Sequence, residues 1–222
     1  MKHSKNIRIK GVLLISLFAV WTVLLQTVDV RPAGETAAEV GFAALNAWFH
    51  ELTGVHWALY HTTDWLGLVP VFVCMLFSCV GLHQLITRKS LIKTDLDLIL
   101  LGIYYILVIA FYLAFEMHPI NYRPVFIDGR LEASYPSSTT LLVLSVMPTL
   151  NFQTERRLKN PRIRKTLCLL SSVFTLFMTV SRALSGVHWI TDIIGAVLLS
   201  TGLYCTYKSA VLLIFAKNTH RR

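Results

Sequence analysis

Long apolar runs alternate with short charged segments along this 222-residue chain. Six runs approach the roughly 20 residues that cross a hydrocarbon core: about 11–28, 66–87, 96–117, 138–153, 166–184 and 190–213. The fourth is short and opens on polar residues, so it is the weakest as a simple span. Residues 35–64 break the pattern, because Glu35, Glu39, Glu51 and Asp64 interrupt any continuous apolar stretch. There Leu45, Trp48, Phe49, Leu52, Val55 and Leu59 recur at helical spacing, and Gly54 divides them into two short amphipathic helices. Such a stripe beside a bilayer lies in its interface, and Trp48, Trp57, Tyr60 and Trp65 suit the headgroup level. It serves either as a headgroup gate or as a packing lid. The expected fold is an all-α, polytopic membrane protein. Its single domain is one bundle of six transmembrane helices with an extracytoplasmic amphipathic helical segment.

Composition agrees, with 55% hydrophobic and 15% charged residues, too apolar for an ordinary soluble domain. Charge then orients the bundle. Of 21 Lys and Arg, all but Arg31, Arg123, Arg130 and Arg182 fall in segments 1–10, 86–97, 153–165 and the tail after about 206. By the positive-inside rule those segments and both termini are cytoplasmic. The net charge of +9 therefore needs no nucleic acid. Contact of segment 153–165 with anionic lipid is allowed but not required. A cleaved leader would also start basic and then apolar, but the odd number of spans left would break the charge bias. Cys74, Cys79, Cys168 and Cys205 lie in apolar spans without metal or redox spacing, as buried unpaired thiols do. His50, His56 and His61 decorate the amphipathic segment as interfacial polar residues, and no metal or other cofactor is expected. Oligomeric state is not readable, since no small-residue pairing pattern stands out.

Three of the four outer arginines fall in short segments where reactive residues gather. In 181–192, Ser-Arg-Ala-Leu-Ser-Gly-Val-His-Trp-Ile-Thr-Asp, His188 and Asp192 stand one helical turn apart on one face. Asp192 can then take a hydrogen bond from one imidazole nitrogen and leave the other to attack, with Arg182 as a forked phosphate donor. A capped helix end would look the same from these three residues alone. Two further outer segments join them: Asn121-Tyr122-Arg123-Pro124, and Tyr135-Pro136-Ser137-Ser138-Thr139-Thr140. The latter reads as a helix start whose free N–H groups and hydroxyls suit an anion. Two arginines aimed there would grip a phosphate group.

These segments resemble the type 2 phosphatidic acid phosphatase family, relatives of the vanadium haloperoxidases. Its third motif, Ser-Arg, five residues, His, three residues, Asp, stands complete as Ser181, Arg182, His188 and Asp192. The resemblance covers about 96–213, which it marks as a phosphatase-like core. It implies a metal-independent lipid phosphatase or phosphotransferase working at the extracytoplasmic face of the cell membrane, with a lipid phosphate and membrane lipids as partners. His188 would form a phosphohistidine and Asp192 would orient it. Arg123, Arg182, Ser137 and nearby amides, with Ser138 and Thr139, would line the phosphoryl site. Two motifs depart: Glu116 replaces the Lys seven residues before Arg123, and Ser138-Thr139 replaces the Gly-His that follows Pro136-Ser137. That His normally protonates the leaving group. An alkoxide is nearly as basic as hydroxide (water's pKa is about 15.7), whereas a phosphate leaving group has a pKa of about 6. A lipid diphosphate, such as a polyprenyl carrier, is therefore the expected substrate. Otherwise Glu116 or His118 supplies the proton, unless Glu116 instead pairs with Arg123 or Arg130. The competing expectation is a non-catalytic lipid-phosphate binding or transport protein.

Overall fold

A computed structural model describes residues 2–219. The described chain runs α1 (Lys2–Leu25), a short antiparallel hairpin β1 (Arg31–Ala33) and β2 (Ala38–Val40), α2 (Ala43–Thr53), α3 (Trp57–Leu66) and α4 (Leu68–Arg88). It continues as α5 (Leu96–Met117), α6 (Ser138–Arg157), α7 (Pro161–Leu184) and α8 (Ile190–Thr219). It is an all-α, multi-pass membrane protein. Among the described residues five helical stretches are long and apolar enough to cross a membrane: Ser4–Leu25, Trp57–Arg88, Leu96–Met117, Pro161–Leu184 and Ile190–Ala216.

The fourth expected span, α6, is a 20-residue helix, about 30 Å long at 1.5 Å per residue, but it falls short of that apolarity. The reason is its position. It packs against α4, α5, α7 and α8, burying Thr140, Ser145, Thr149, Gln153 and Thr154. Protein partners replace lipid around these polar groups: Tyr105 Oη meets Thr149 Oγ1 at 2.7 Å, and Gln153 Nε2 donates to Tyr207 Oη at 2.9 Å. Polar groups at membrane depth persist where they face the bundle interior. The lipid-facing helices show the inverse, leaving Phe72, Ile106 and Leu169 exposed.

The region between α1 and α4 differs in part from the amphipathic segment read from sequence. Residues 31–40 form the β1–β2 hairpin, which the periodicity did not reveal. From Ala43 onward the two helices appear, parted at Gly54. Trp48, Leu52, Trp57 and Trp65 stay exposed, as interfacial aromatics do. The buried side is tied down: Asn46, fully buried, donates to Gly41 O at 2.9 Å and Thr191 Oγ1 at 3.0 Å. His50 packs on the Trp189 ring, their centroids 5.7 Å apart. Both helices thus buttress the first turn of α8 and the last turn of α7. The thiols depart from expectation as well. Cys205 is buried, Cys74 and Cys168 are half-buried and Cys79 is exposed on the lipid-facing side of α4, where a small apolar side chain needs no protein cover.

The end of the bundle opposite the α7–α8 turn is locked by charge. Arg157 forks onto Asp97 with two 2.9 Å bonds and reaches Asp95 at 3.0 Å. Arg88 adds a 2.9 Å bond to Asp95. Arg157 thus ties two carboxylates together, Nη1 on Asp95 and Nη2 on both oxygens of Asp97, in charge-assisted hydrogen bonds stronger than neutral ones.

Candidate active site

A 20-residue excursion from α5 to α6, residues 118–137, builds half of the site. Asp128 and Gly129 both adopt positive φ, 47° and 73°, between the bridged pair Ile127 and Arg130. This is the two-residue Asp-Gly turn that matches hairpin twist. Behind it Arg123 N–H donates to Glu132 O at 3.1 Å, and Ser134 N–H to Asn121 O at 2.9 Å. The turn therefore sets Asn121 and Arg123 beside Ser134 and Glu132. The β1–β2 hairpin clamps the strand from outside, as Thr36 Oγ1 donates to Arg123 O at 2.9 Å and Glu35 N–H to Pro124 O at 2.8 Å.

The α7–α8 turn supplies the other half. Gly186, at φ 70°, lets the chain reverse against Gly54, whose carbonyl would lie 1.9 Å from an added Cβ. Trp189, almost fully buried, donates its indole N–H to Tyr122 O at 2.8 Å. Asp192 reaches back from the first turn of α8 to accept from Trp189 N–H at 2.9 Å, the return bond of a capping box.

His188 stands where the halves meet, 3% exposed. Its Nε2 lies 3.2 Å from Arg123 Nη1, and its Nδ1 lies 3.1 Å from Ser134 Oγ. Ser134 Oγ donates to Asp192 Oδ2, and Asn121 Nδ2 donates to Asp192 Oδ1 at 3.2 Å. The direct bond expected between His188 and Asp192 is absent, since Nδ1 and Oδ2 are 3.8 Å apart, beyond hydrogen-bond reach. The helical spacing does bring the two side chains to one face, but a serine from the preceding hairpin fills the gap. Burial pushes the imidazole pKa well below its ordinary value, and the nearby Arg123 and Arg182 cations push it further. The ring is therefore neutral at physiological pH.

A cavity of about 290 Å³ opens on these groups, lined by Tyr112, Glu116, Arg123, Glu132, Ser134, Ser138 and His188 among others. Glu116 faces it without an ion-pair partner among the described residues. Arg123 pairs instead with Glu132, Nε to Oε2 3.2 Å, at an angle too poor for a hydrogen bond. The other expected residues sit elsewhere. Arg182, 1% exposed, turns to α3, donating to Thr63 Oγ1 at 3.2 Å and Tyr60 O at 3.4 Å. Its guanidinium lies 4.7 Å over the Tyr60 ring. Ser137 is fully buried, its hydroxyl donating to Thr140 Oγ1 at 3.1 Å and its N–H to Asp192 O at 3.3 Å. Thr139 lines an adjoining, mostly apolar cavity with Leu68, Ile109 and Leu142, which shares Tyr112 and Ser138 with the His188 cavity. His118 is exposed at the end of α5 and does not line the His188 cavity. Ser134 and Glu132 were not singled out from sequence, although Asp128-Gly129 flanked by Ile127 and Leu131 is a hairpin signal that could have found them.

Among solved structures, the crystal structure of the first transmembrane PAP2 type phosphatidylglycerolphosphate phosphatase from Bacillus subtilis is similar to this chain. The two superpose with a TM-score of 0.60 at 19% identity, over 92% of this chain and 97% of that one. The chain shares that fold. No family model matches it, and no curated protein is similar in sequence. The likeness extends over almost the whole chain.

Proposed function

We propose that the chain is a lipid phosphatase that works through a phosphohistidine on His188. One observation carries this reading: a neutral imidazole whose Nε2 faces a polar cavity beside Arg123, while its Nδ1 is held by Ser134 and Asp192. The fold shared with a transmembrane phosphatase supports it, and so do the spacings Ser181, Arg182, His188 and Asp192. The charge bias of the loops supports cytoplasmic termini and a site at the extracytoplasmic face.

In the reaction the Nε2 lone pair forms the N–P bond as the P–O bond to the leaving group breaks. Arg123, freed from Nε2, moves its Nη protons onto the phosphoryl oxygens, and the amides opening α6 at Ser138 add donors. Arg182 contributes through its field and by anchoring α3, since its Nη1 donates to Tyr60 O and Thr63 Oγ1. Water then attacks phosphorus, inorganic phosphate departs, and His188 is regenerated. The leaving oxygen needs a proton when it belongs to an alcohol. Thr139 lines the adjoining cavity and His118 lines neither, which leaves Glu116, on the wall of this one, as the acid. A phosphate leaving group needs no such acid, whereas an alkoxide deprived of one loses typically 10²–10⁴-fold, so a lipid diphosphate is the preferred substrate and Glu116 serves only where the leaving group is an alcohol. The similar solved protein is named for a phosphate monoester, and the missing motif His separates this chain from such a preference. The same intermediate would serve a phosphotransferase if an acceptor hydroxyl replaced water.

The test is phosphate release from lipid monophosphates and diphosphates in detergent, with His188→Ala alongside. The expected result is faster turnover of diphosphates and a loss of about 10³-fold or more in the variant. Release that survives His188→Ala ends the nucleophile assignment. A second reading, lipid-phosphate binding without turnover, is favoured by Arg123 sitting on the Nε2 lone pair and Arg182 facing away. It predicts vanadate-sensitive lipid binding with no release from any substrate.

A further inference from the structure

The carboxylate one turn beyond His188 does not touch the ring it is spaced to meet, and the atom between them decides how the ring is held. A hydroxyl has one proton to give. Ser134 gives its proton to Asp192 Oδ2, because a carboxylate can only accept. Its lone pairs are then left for Nδ1 of His188, 3.1 Å away, so that nitrogen must carry the hydrogen. Arg123 gives the same answer independently: a guanidinium only donates, so Nε2 at 3.2 Å from Nη1 must be the acceptor. Ser134 is itself fixed, 2% exposed, with its N–H on Asn121 O while the Asn121 amide holds the other oxygen of Asp192. One strand thus grips both the bridge and the carboxylate.

Taking the phosphohistidine reading as its basis, we infer that Ser134 is a positioning residue, a hydroxyl bridge through which Asp192 sets the tautomer of His188 and balances the charge that the ring gains on phosphorylation. As the N–P bond forms, the electron pair of the breaking P–O bond leaves on the departing oxygen. The Nδ1 hydrogen stays on the now cationic ring, and no proton crosses the bridge. The aligned Nδ1–H, Oγ–H and carboxylate dipoles offset the new charge, as a carboxylate does for the imidazolium of a hydrolase triad.

The experiment compares Ser134→Ala, Asp192→Asn, the double variant and His188→Ala on the best substrate of the lipid panel, with vanadate inhibition measured for each active form. Ser134→Ala is expected to lower kcat about 10- to 100-fold while KM and the vanadate inhibition constant stay within about twofold. A merely structural loss would move all three. In the Asp192→Asn background the same change is expected to cost less than about threefold, because residues acting as one unit are not additive. Independent, multiplying losses would overturn the bridge. Nitrogen-15 NMR of histidine-labelled wild-type protein, with the His188 signal identified by its loss in His188→Ala, reads the tautomer without any turnover. Hydrogen on Nδ1 supports the bridge, and hydrogen on Nε2 overturns it even where Ser134→Ala fails to fold. Failure here stays distinct from failure of the phosphohistidine reading. A dead His188→Ala beside a fully active Ser134→Ala removes only the bridge, whereas an active His188→Ala removes the nucleophile itself.

Discussion

At the residue scale, His188 couples burial to chemistry. Attack requires the neutral ring, and burial with two neighbouring guanidinium groups keeps it neutral below the ordinary imidazole range. The acid limb of the pH profile of kcat/KM is therefore expected below pH 6.5, the unperturbed value. A limb at or above that value would mean the ring is solvated or paired with a bare carboxylate. The same shift has a stability sign. Unfolded His188 takes a proton near pH 6.5 and the native ring does not, so stability falls as pH drops below that value. Glu132 sets a second expectation. Its carboxylate stands against Arg123 in the mouth of the cavity and repels an incoming anion. Glu132→Gln is expected to tighten vanadate inhibition by about two- to tenfold, in line with the modest worth of a partly exposed pair. Weaker inhibition would mean that Glu132 holds Arg123 in its working pose.

At the element scale, two reversals with positive φ place the machinery. Around Gly129 there is open space, so Gly129→Ala brings backbone strain alone, of order 1 kcal/mol. Activity should then drop while the thermal midpoint of the bundle hardly moves, since the turn carries the site residues Asn121, Arg123, Glu132 and Ser134 rather than a bundle helix. Gly186→Ala adds a collision with the Gly54 carbonyl to the same strain. It should displace the α2–α3 segment and cost both activity and stability. These elements also mark the limits of reading a sequence. The long apolar runs and the His188–Asp192 spacing were legible because helical periodicity and side-chain chemistry are local. The hairpin 121–134 was not read, for its signal is a dipeptide among polar residues rather than a periodic pattern. Ser134 lay hidden for a related reason: its partner is 54 positions away in sequence. Arg182 was expected on phosphate, yet the α3 groups that claim it belong to a segment whose docking no sequence pattern discloses.

At the scale of the whole molecule, the bundle is fixed at two ends by different means. Around His188 the ties are a buried carboxylate, Asp192, that accepts from Asn121, Ser134 and Trp189, two arginines held by neighbouring groups, and aromatic packing. At the far end they are Arg88, Arg157, Asp95 and Asp97. Asp97 has a side chain only 5% exposed and takes two bonds from Arg157. Asp97→Ala is thus expected to destabilise by about 1.5–3 kcal/mol, the worth of hydrogen bonds to a charged group, because Arg157 is 31% exposed and keeps Asp95 and Gln153; the measurement is thermal unfolding in detergent. Burial lifts the Asp95 carboxyl pKa, but hydrogen bonds from Gln84, Arg88 and Arg157 outweigh that and hold it at about 2. Its contribution is present above pH 3.8 and is lost as pH falls toward 2.

The polar central helix has a consequence for biogenesis. A segment that carries Thr140, Ser145, Thr149, Gln153 and Thr154, with Pro148 in its middle, gains little by leaving the translocon for lipid alone. The Gln153 amide finds its partner, Tyr207 Oη, only once α8 has been synthesised, and the buried face is covered by α7 and α8. Nascent chains halted shortly after Arg157 should therefore leave this segment uninserted and open to glycosylation-site or cysteine mapping. Chains extended through α8 should shield it.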